Sequence, residues 1–293
     1  MLSIKFINDN RDYVRKALEN RNFDLSVFDT LLSHIDKRGA AMYEAQQKRA
    51  ELSKLSKQIG AFKNEKQKMQ ELKDKASQLK KEVVDLEKVA DDFDKNAYEI
   101  LIRVPNISLD SVPVGKDEND NHVIQTHDNL GRKLVSNVLP HYEIGKKLDI
   151  FDFERAVKLS GSRFVIFKKD GAKLARALQN FMIDLHTANG YDEYAVPVLV
   201  KPEILFGTGQ LPKFKDDLFY MEQTNMYLIP TAEVPLTNLY NDEIINLEKP
   251  IRLTGFTECF RSESGSGGKD MRGIIRNHQF KKVELVKITS EKD

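Results

Sequence analysis

The sequence has few residues of the types that cross-link chains or anchor them in membranes. Cys259 is the one cysteine among 293 residues, which excludes an intrachain disulfide framework and suits a reducing compartment. Nowhere do 18 apolar residues follow one another, and the N-terminus lacks the apolar core and cleavage site of a signal peptide. The 46 basic and 45 acidic residues nearly balance, so overall charge does not point to nucleic acid. These absences predict a soluble, cytoplasmic protein without a membrane partner.

Proline and glycine are scarce at the start of the chain. The first 104 residues contain no proline and only Gly39 and Gly60, whereas all nine prolines and the other thirteen glycines come later. Because both residue types break helices, the composition predicts a domain boundary near Pro105. We therefore expect a helical domain over residues 1–104, a linker over 105–138 and a second domain over 139–293.

Apolar residues recur at alternating steps of three and four in the second half of the helical domain. This heptad pattern is typical of a coiled coil. The positions are Met69, Leu72, Ala76, Leu79, Val83, Leu86, Ala90, Phe93, Ala97 and Ile100. Leu52, Leu55, Ile59 and Phe62 continue it before a short link at Gly60 to Lys66, and a looser helical pattern begins at Ser26. Two long helices joined in this way predict an antiparallel hairpin about 50 Å long.

Charge is distributed unevenly along this hairpin. Residues 48–81 carry eleven basic and four acidic side chains, whereas residues 82–99 carry two basic and seven acidic ones. A basic tip on a long arm suits a phosphate backbone. The alternative is a solvated coiled coil that serves only dimerisation, and the charges by themselves favour that alternative by about two to one.

Shorter patterns follow in the second domain. Residues 150–160 and 171–189 have helical periodicity, and the stretch from Tyr191 to Val200 resembles a strand with Pro197 inside it, which predicts an edge strand or a bulge. His122, His127 and His141 lack metal-ligand spacing, so we interpret them as ordinary surface or hinge residues and expect no protein metal site.

The segment Leu228 to Leu236 places Thr231 and Glu233 between two prolines. Side chains two positions apart on a stiff segment would point the same way and hold a small ligand by its ammonium and hydroxyl groups. A threonine before a glutamate and an apolar run also predicts a helix N-cap. Both interpretations remain open, and both can hold together.

Two apolar stretches, residues 251–260 and 274–286, flank a loop that is rich in glycine. Their composition predicts a pair of antiparallel strands. Arginine side chains, carboxylates and the ring of Phe280 would then share one face, which suits a nucleoside triphosphate and a zwitterion. An exposed hairpin with alternating charges is the other interpretation, and spacing alone leaves the two about even.

The string FRSESGSGGKDMRGIIRNHQFKKVEL, which begins at Phe260, resembles motif 2 of class II aminoacyl-tRNA synthetases and is most similar to the seryl-tRNA synthetase family. The segment around Gly190 and Pro197 resembles motif 1, which builds the dimer interface in that class. The resemblance implies an α+β fold, in which a long antiparallel coiled-coil arm precedes an antiparallel β-sheet domain flanked by helices. Motif 3 has no counterpart in this sequence, so we expect an incomplete catalytic domain.

The same resemblance implies a role for each matching residue. Arg261 would bridge the ATP α-phosphate and the serine carboxylate, Glu284 would hold the serine ammonium, and Phe280 would stack on adenine. Glu263 would contact the adenine side, and Arg276 the outer phosphates. The implied serine site is Thr231, Ala232, Glu233, Arg261 and Glu284. The implied ATP site is Arg261, Ser262, Glu263, Arg276 and Phe280, with Arg261 and Arg276 as catalytic residues.

The implied activity is the ATP-dependent, magnesium-assisted joining of L-serine to tRNA(Ser) through a seryl-adenylate. Charging of tRNA(Sec) is left open, and a homodimer is expected. The arm would grip tRNA through its basic tip, with these candidate contacts: Lys54, Lys57, Lys63, Lys66, Lys68 and Lys73. A tRNA-binding fragment or paralogue without catalysis is the alternative, since without motif 3 the chain alone is expected to be a poor catalyst.

Overall fold

Four helices form the first of two compact units, Met1–Asp128. The computed structural model describes residues 1–61, 66–127, 137–263 and 272–291. The helices are α1 (Ile4–Asp9), α2 (Arg11–Asn20), α3 (Leu25–Ala61) and α4 (Lys66–Leu101). At 1.5 Å per residue, α3 and α4 are each about 55 Å long. The predicted link around Gly60 lies largely outside the described residues, as does Lys63.

Helices α3 and α4 pack against each other in opposite directions. Arg38 pairs with Asp94 at 2.6 Å, and Lys48, further along α3, pairs with Glu82, earlier in α4, at 2.8 Å. Moving from Arg38 to Lys48 along α3, the partner residue moves from Asp94 back to Glu82 along α4, so the two helices are antiparallel. The hairpin predicted from the heptad pattern is therefore confirmed.

The heptad positions of α4 form its packed face. All ten of the predicted positions, from Met69 to Ile100, are buried or half-buried. Val84 and Val89, which fall outside the pattern, are 56% and 43% exposed. Local periodicity thus decides which side of the helix is covered.

A separate core closes the base of the hairpin. Ile7, Val14 and Leu18 of the short helices are fully buried against Phe28 of α3 and Ala97 of α4. Burial of such apolar side chains stabilises the unit by roughly 1.5–3 kcal/mol each. After Val104 the chain is mainly irregular, with one 3-10 turn at Glu118–Asp120.

The second unit, Asn129–Asp293, mixes helices with short and long strands. Its helices are α5 (His141–Lys147), α6 (Phe153–Ser160), α7 (Asp170–Ala188), α8 (Pro202–Gly207) and α9 (Glu233–Thr237). Its strands are β1 (Phe151–Asp152), β2 (Ile166–Phe167), β3 (Asp192–Glu193), β4 (Leu199–Val200), β5 (Tyr220–Met221), β6 (Met226–Leu228), β7 (Ile251–Phe260) and β8 (Gln279–Ile288). Among the described residues they form sheets in the orders β1-β2, β3-β7-β8 and β4-β6-β5.

The long antiparallel pair β7–β8 is the central element of the second unit. Its register places Cys259 opposite Phe280 and Gly255 opposite Glu284. Directly paired residues share a face, so Cys259, Phe280 and Glu284 lie on one side of the sheet. Helix α9 packs on this side through Leu236, which is buried with Leu253. Helix α7 lies on the other side, where Leu178 and Met182 line a cavity together with Phe256 of β7.

Three sequence-based boundaries are wrong. The second strand begins at Gln279 rather than Ile274, because Gly273 has a φ of +105° and the side chain of Asn277 donates to the carbonyl of Ile274, which holds a turn. The predicted strand from 191 to 200 is split into β3 and β4, which belong to different sheets. Part of the predicted helix at 150–160 is strand β1.

Candidate active site

The side chains of Thr231, Lys282 and Glu284 meet on the side of the β7–β8 sheet that also carries Phe280. The Thr231 hydroxyl donates to the Glu284 carboxylate at 2.5 Å and accepts from the Lys282 ammonium at 2.9 Å. Lys282 also pairs directly with Glu284 at 2.5 Å. Thr231 is 4% exposed, whereas the side chains of Glu284 and Lys282 are 17% and 35% exposed, so the triangle is buried on the threonine side and reaches water at the lysine. Hydrogen bonds that involve charged groups are stronger than neutral ones.

Backbone hydrogen bonds bring Thr231 to this face. The N–H of Phe260, at the end of β7, donates to the carbonyl of Ile229 at 2.8 Å, which fixes the chain just before Thr231. The Thr231 hydroxyl also accepts the N–H of Glu233 at 3.3 Å. The N-cap position itself is Ala232, so the threonine supports the start of α9 from one residue earlier. The N-cap predicted at Thr231 is therefore wrong, since α9 has no side-chain cap and the Thr231 hydroxyl bonds Glu284 and Lys282 as well as the Glu233 N–H. The Glu233 side chain is exposed.

Arg261 lies next to this triangle. Its Nε donates to the carbonyl of Pro230 at 3.4 Å, and its guanidinium carbon lies 5.1 Å from the centre of the Phe280 ring. A guanidinium, which suits a phosphate group, therefore lies beside an aromatic ring.

Glu263 and Arg276 approach each other from the two ends of the glycine-rich loop. Their carboxylate and guanidinium lie 3.5 Å apart. Ser262 is held by its N–H and hydroxyl, which donate to the carbonyls of Asp217 at 2.9 Å and Asp216 at 2.5 Å. Glu263 has a φ of +50° and Arg276 precedes β8, so neither belongs to a strand. Strand alternation is therefore not what brings them together. Residues 264–271 of the loop lie outside the described residues.

A cavity of about 570 Å³ opens beside Arg261, Glu263 and Arg276, and the Thr231–Lys282–Glu284 triangle is not part of its lining. Its volume is in the range of small-molecule sites, roughly 300–1,000 Å³. Its lining residues are Gln210, Phe214, Asp217, Leu218, Pro230, Arg261, Glu263, Ile275, Arg276, Asn277 and Phe280. Four of the predicted ATP-site residues, Arg261, Glu263, Arg276 and Phe280, thus line one cavity.

Cys259 lies below the site and is fully buried. Burial raises the pKa of its thiol above the ordinary value of 9.0, because the interior penalises the thiolate. The hydroxyl of Thr257 contacts the sulfur at 3.4 Å. Cys259 is therefore a neutral packing residue at neutral pH.

Three residues near the site make contacts that the sequence did not predict. Lys282 belongs to the triangle, and its position two residues before Glu284 on a strand could have revealed it. His141, interpreted as an ordinary surface or hinge residue, accepts the N–H of Ile274 at 3.0 Å. Arg163 contacts the Glu263 carbonyl, and no local pattern indicates that contact.

No helix within the described ranges is both long and apolar enough to cross a bilayer. Over the same ranges, with their gaps at 62–65, 128–136, 264–271 and 292–293, no three His, Cys, Asp or Glu residues are grouped to hold a metal ion.

Two families match the chain. Residues 1–108 match the seryl-tRNA synthetase N-terminal domain, and residues 214–293 match the tRNA synthetase class II core domain (G, H, P, S and T). A serine–tRNA ligase of Mycoplasmopsis agalactiae is 85% identical over the whole chain, which covers 69% of that relative. One from Metamycoplasma arthritidis is 49% identical with the same coverage.

The fold is also similar to known crystal structures. A seryl-tRNA synthetase from Pyrococcus horikoshii complexed with ATP aligns with a TM-score of 0.88 and 32% identity, over 97% of this chain and 69% of that one. A cytoplasmic serine–tRNA ligase from Naegleria fowleri in complex with AMP aligns with a TM-score of 0.80 and 25% identity, over 97% of this chain and 65% of that one.

Proposed function

The chain belongs to the seryl-tRNA synthetase family, and we propose that it acts as a serine–tRNA ligase whose site is the cavity beside Thr231, Arg261 and Glu284. The observation that carries this proposal is the joint placement of an ammonium-binding pair, Thr231 and Glu284, next to an arginine and an aromatic ring. One site thus offers contacts for serine and for a nucleotide.

The proposed reaction has two steps. A serine carboxylate oxygen attacks the α-phosphorus of ATP, and the bond to the β-phosphate oxygen breaks, which releases pyrophosphate and leaves seryl-adenylate. A terminal ribose hydroxyl of tRNA(Ser) then attacks the seryl carbonyl carbon, loses its proton, and AMP departs. Positioning and positive charge are sufficient to promote both steps, so no covalent enzyme intermediate is required.

For serine, we propose that Glu284 and Thr231 receive the ammonium group, and that Arg261 binds the carboxylate. Ala232 and Glu233 follow Thr231 in the same segment and belong to the proposed serine site. Ala232 is buried and Glu233 is exposed. A pocket built to hydrogen-bond polar groups discriminates against analogues that lack them, because its own groups are left unpaired.

For ATP, we propose that Phe280 stacks on adenine, Glu263 contacts the adenine side, and Arg261 and Arg276 bind phosphates. Ser262 holds this strand end in place through its bonds to Asp216 and Asp217. ATP would enter as its magnesium complex. Magnesium keeps few protein ligands and is held mainly by phosphates.

We further propose that residues 1–104 form a tRNA-binding arm, residues 105–138 a linker, and residues 139–293 the catalytic part. Lys54, Lys57, Lys68 and Lys73 are exposed near the tip of the helix pair. The side chains of Lys63 and Lys66 lie outside the described residues.

Since both ATP and tRNA are cytoplasmic and the single cysteine suits a reducing compartment, we place the reaction in the cytoplasm.

A homodimer is proposed from the exposed apolar side of α7. Leu174, Leu178, Phe181 and Leu185 recur there at helical spacing and are all exposed. Such a stripe is typical of a surface that a partner covers. Sedimentation of Phe181→Glu, with Lys173→Glu on the same helix as control, should show a loss of dimer only in the first variant.

The decisive experiment is serine-dependent exchange of pyrophosphate into ATP by this chain. We expect Arg261→Ala to abolish any exchange, whereas Arg252→Ala, at the far end of strand β7, should retain it.

Binding of L-serine is measured in parallel. Thr231→Val should weaken it at least about tenfold, because a buried donor and acceptor are lost, while Thr257→Val, which is equally buried, should not.

The outcome separates the two functions considered. Exchange that depends on Arg261 establishes the adenylate site. If this chain binds neither serine nor ATP but binds tRNA in a salt-sensitive way, the non-catalytic tRNA-binding function replaces the ligase. Exchange that persists in Arg261→Ala contradicts the site assignment.

The arm is tested separately by the salt dependence of tRNA(Ser) binding. Replacing Lys54, Lys57 and Lys73 with glutamine should weaken binding and reduce the slope against log salt by about 2–3, roughly one per lost phosphate contact. The same change at Lys37, Lys88 and Lys95, nearer the base, should leave the slope unchanged. Equal effects of both sets would contradict a specific role for the tip.

A further inference from the structure

Lys282 contacts both groups that the proposed serine site would offer to the substrate ammonium. Its Nζ contacts the Thr231 hydroxyl at 2.9 Å and the Glu284 carboxylate at 2.5 Å. The side chains of Lys282 and Glu284 are 35% and 17% exposed, so the pair is partly removed from water. An ammonium bound by one carboxylate and one hydroxyl is the same arrangement that the proposed serine site offers to the amino group of serine.

We propose that Lys282 is an affinity-determining residue, an internal ammonium that holds the serine subsite closed until the substrate ammonium displaces it. The inference rests on the proposed serine site. In the free protein Lys282 keeps Glu284 and Thr231 oriented and neutralises the carboxylate. When serine binds, one ammonium replaces another, so the charge of the subsite does not change.

The lysine side chain is suited to this exchange. Its four-carbon stem is flexible and its head group is strongly hydrated, so a displaced Lys282 regains both conformational freedom and water. The competition lowers the apparent affinity for serine by the fraction of molecules in which the subsite is free. Compounds without an ammonium group cannot replace Lys282 on Glu284, which makes the lysine a filter for amines.

The first test is calorimetric binding of L-serine to Lys282→Met. Removing the internal competitor should tighten binding by about three- to tenfold, the factor expected when a competing state dominates the free protein. L-glycerate, which carries a hydroxyl in place of the ammonium, should gain nothing. Lys281→Met is the matched control, because Lys281 pairs with Glu258 at 3.7 Å on the other face of the sheet. Weaker or unchanged serine binding by Lys282→Met would overturn the proposal.

The second test follows the lysine directly. Brief acetylation with an amine-reactive ester is read by mass spectrometry as the ratio of Lys282 to Lys281 label, because the amine of L-serine also consumes the ester. This ratio should rise when L-serine is present, because the Lys282 amine has been released. An equal ratio with and without L-serine would show that no displacement occurs.

Glu284→Gln separates failure of this inference from failure of the serine site. If Glu284→Gln abolishes serine binding but Lys282→Met brings no gain, the site stands and the competition is wrong. If serine binds equally well to Glu284→Gln, the site assignment fails and the inference with it. The same holds if neither the unchanged chain nor Lys282→Met binds serine.

Discussion

The guanidinium of Arg163 donates a hydrogen bond to the backbone carbonyl of Glu263 at 3.0 Å, across 100 positions of sequence. The carbonyl of Arg163 accepts the N–H of His278 at 2.9 Å. One residue therefore ties together the two segments on either side of the glycine-rich loop. Arg163 itself has a φ of +62°, a conformation that most side chains disfavour.

Arg163→Asn is expected to weaken ATP binding by about tenfold, since one charged hydrogen bond that positions Glu263 is lost. Asparagine tolerates a positive φ, so the change removes the guanidinium without adding backbone strain. Calorimetric titration with ATP provides the measurement. Arg155→Asn, at an exposed arginine of α6, is the control and should bind ATP normally. Normal ATP binding by Arg163→Asn would show that the contact does not position the site.

Phe280→Leu should reduce ATP affinity by about five- to tenfold, because the stacking plane for adenine is removed while the residue stays apolar. Phe256→Leu is its control, since Phe256 pairs with Val283 on the opposite face of the sheet. Fluorescent nucleotide titration compares the two variants. Equal losses would mean that stability of the sheet, rather than stacking, explains the effect.

Gly273→Ala should destabilise the protein by about 2–4 kcal/mol, which is more than the cost of a positive φ alone. A Cβ at this position would lie 1.9 Å from Nε2 of His141, and the residue has a φ of +105°. Gly209→Ala measures the cost of a positive φ without a steric clash, because Gly209 has a φ of +76° and no atom lies within 4 Å of the position of a Cβ. Urea unfolding measures both. Similar losses in the two variants would contradict a steric role for His141.

Cys259 predicts a particular pH dependence of stability. Its pKa is raised by burial, so the folded chain keeps the thiol proton at pH values where the unfolded chain has begun to lose it. This contribution is fully present below the unfolded pKa of about 9 and is lost as pH rises towards the folded pKa. Urea unfolding between pH 7.5 and 10.5 should show a steeper fall for the native chain than for Cys259→Ala.

The comparison with Cys259→Ala is needed because other groups titrate in the same range. Burial raises the pKa of Tyr227, and a hydrogen bond from Tyr194 does so for Tyr240. Both tyrosines lower the stability at high pH in the native chain and in Cys259→Ala alike. Their contributions therefore cancel when the free energies of unfolding of the two proteins are subtracted. Parallel pH profiles would mean that the thiol does not stay protonated through burial.

The helical arm was predictable because its signal is local. Positions from Met69 to Ile100 recur with the helix period, and nothing distant is needed to decide which side is buried. The absence of proline before residue 105 and the uneven charge along the arm also follow from the sequence alone. The site residues were predicted through resemblance, since spacing left an exposed hairpin equally open.

Strand boundaries and side-chain meetings were decided by the tertiary structure. Arg276 was expected on a strand, yet a turn at Gly273 and Asn277 places it before β8. Thr231 and Glu284 lie 53 positions apart, and they meet only because Ile229 is bonded to the end of β7 and the register of β7 with β8 brings Glu284 to the same face.

The sequence by itself thus determined the arm, its charge and the residue types of the site. The tertiary structure alone decided that Lys282 closes the triangle with Thr231 and Glu284. The physical reason is that helix periodicity follows from neighbouring residues, whereas strand register and the packing of a loop on a sheet depend on contacts between distant parts of the chain.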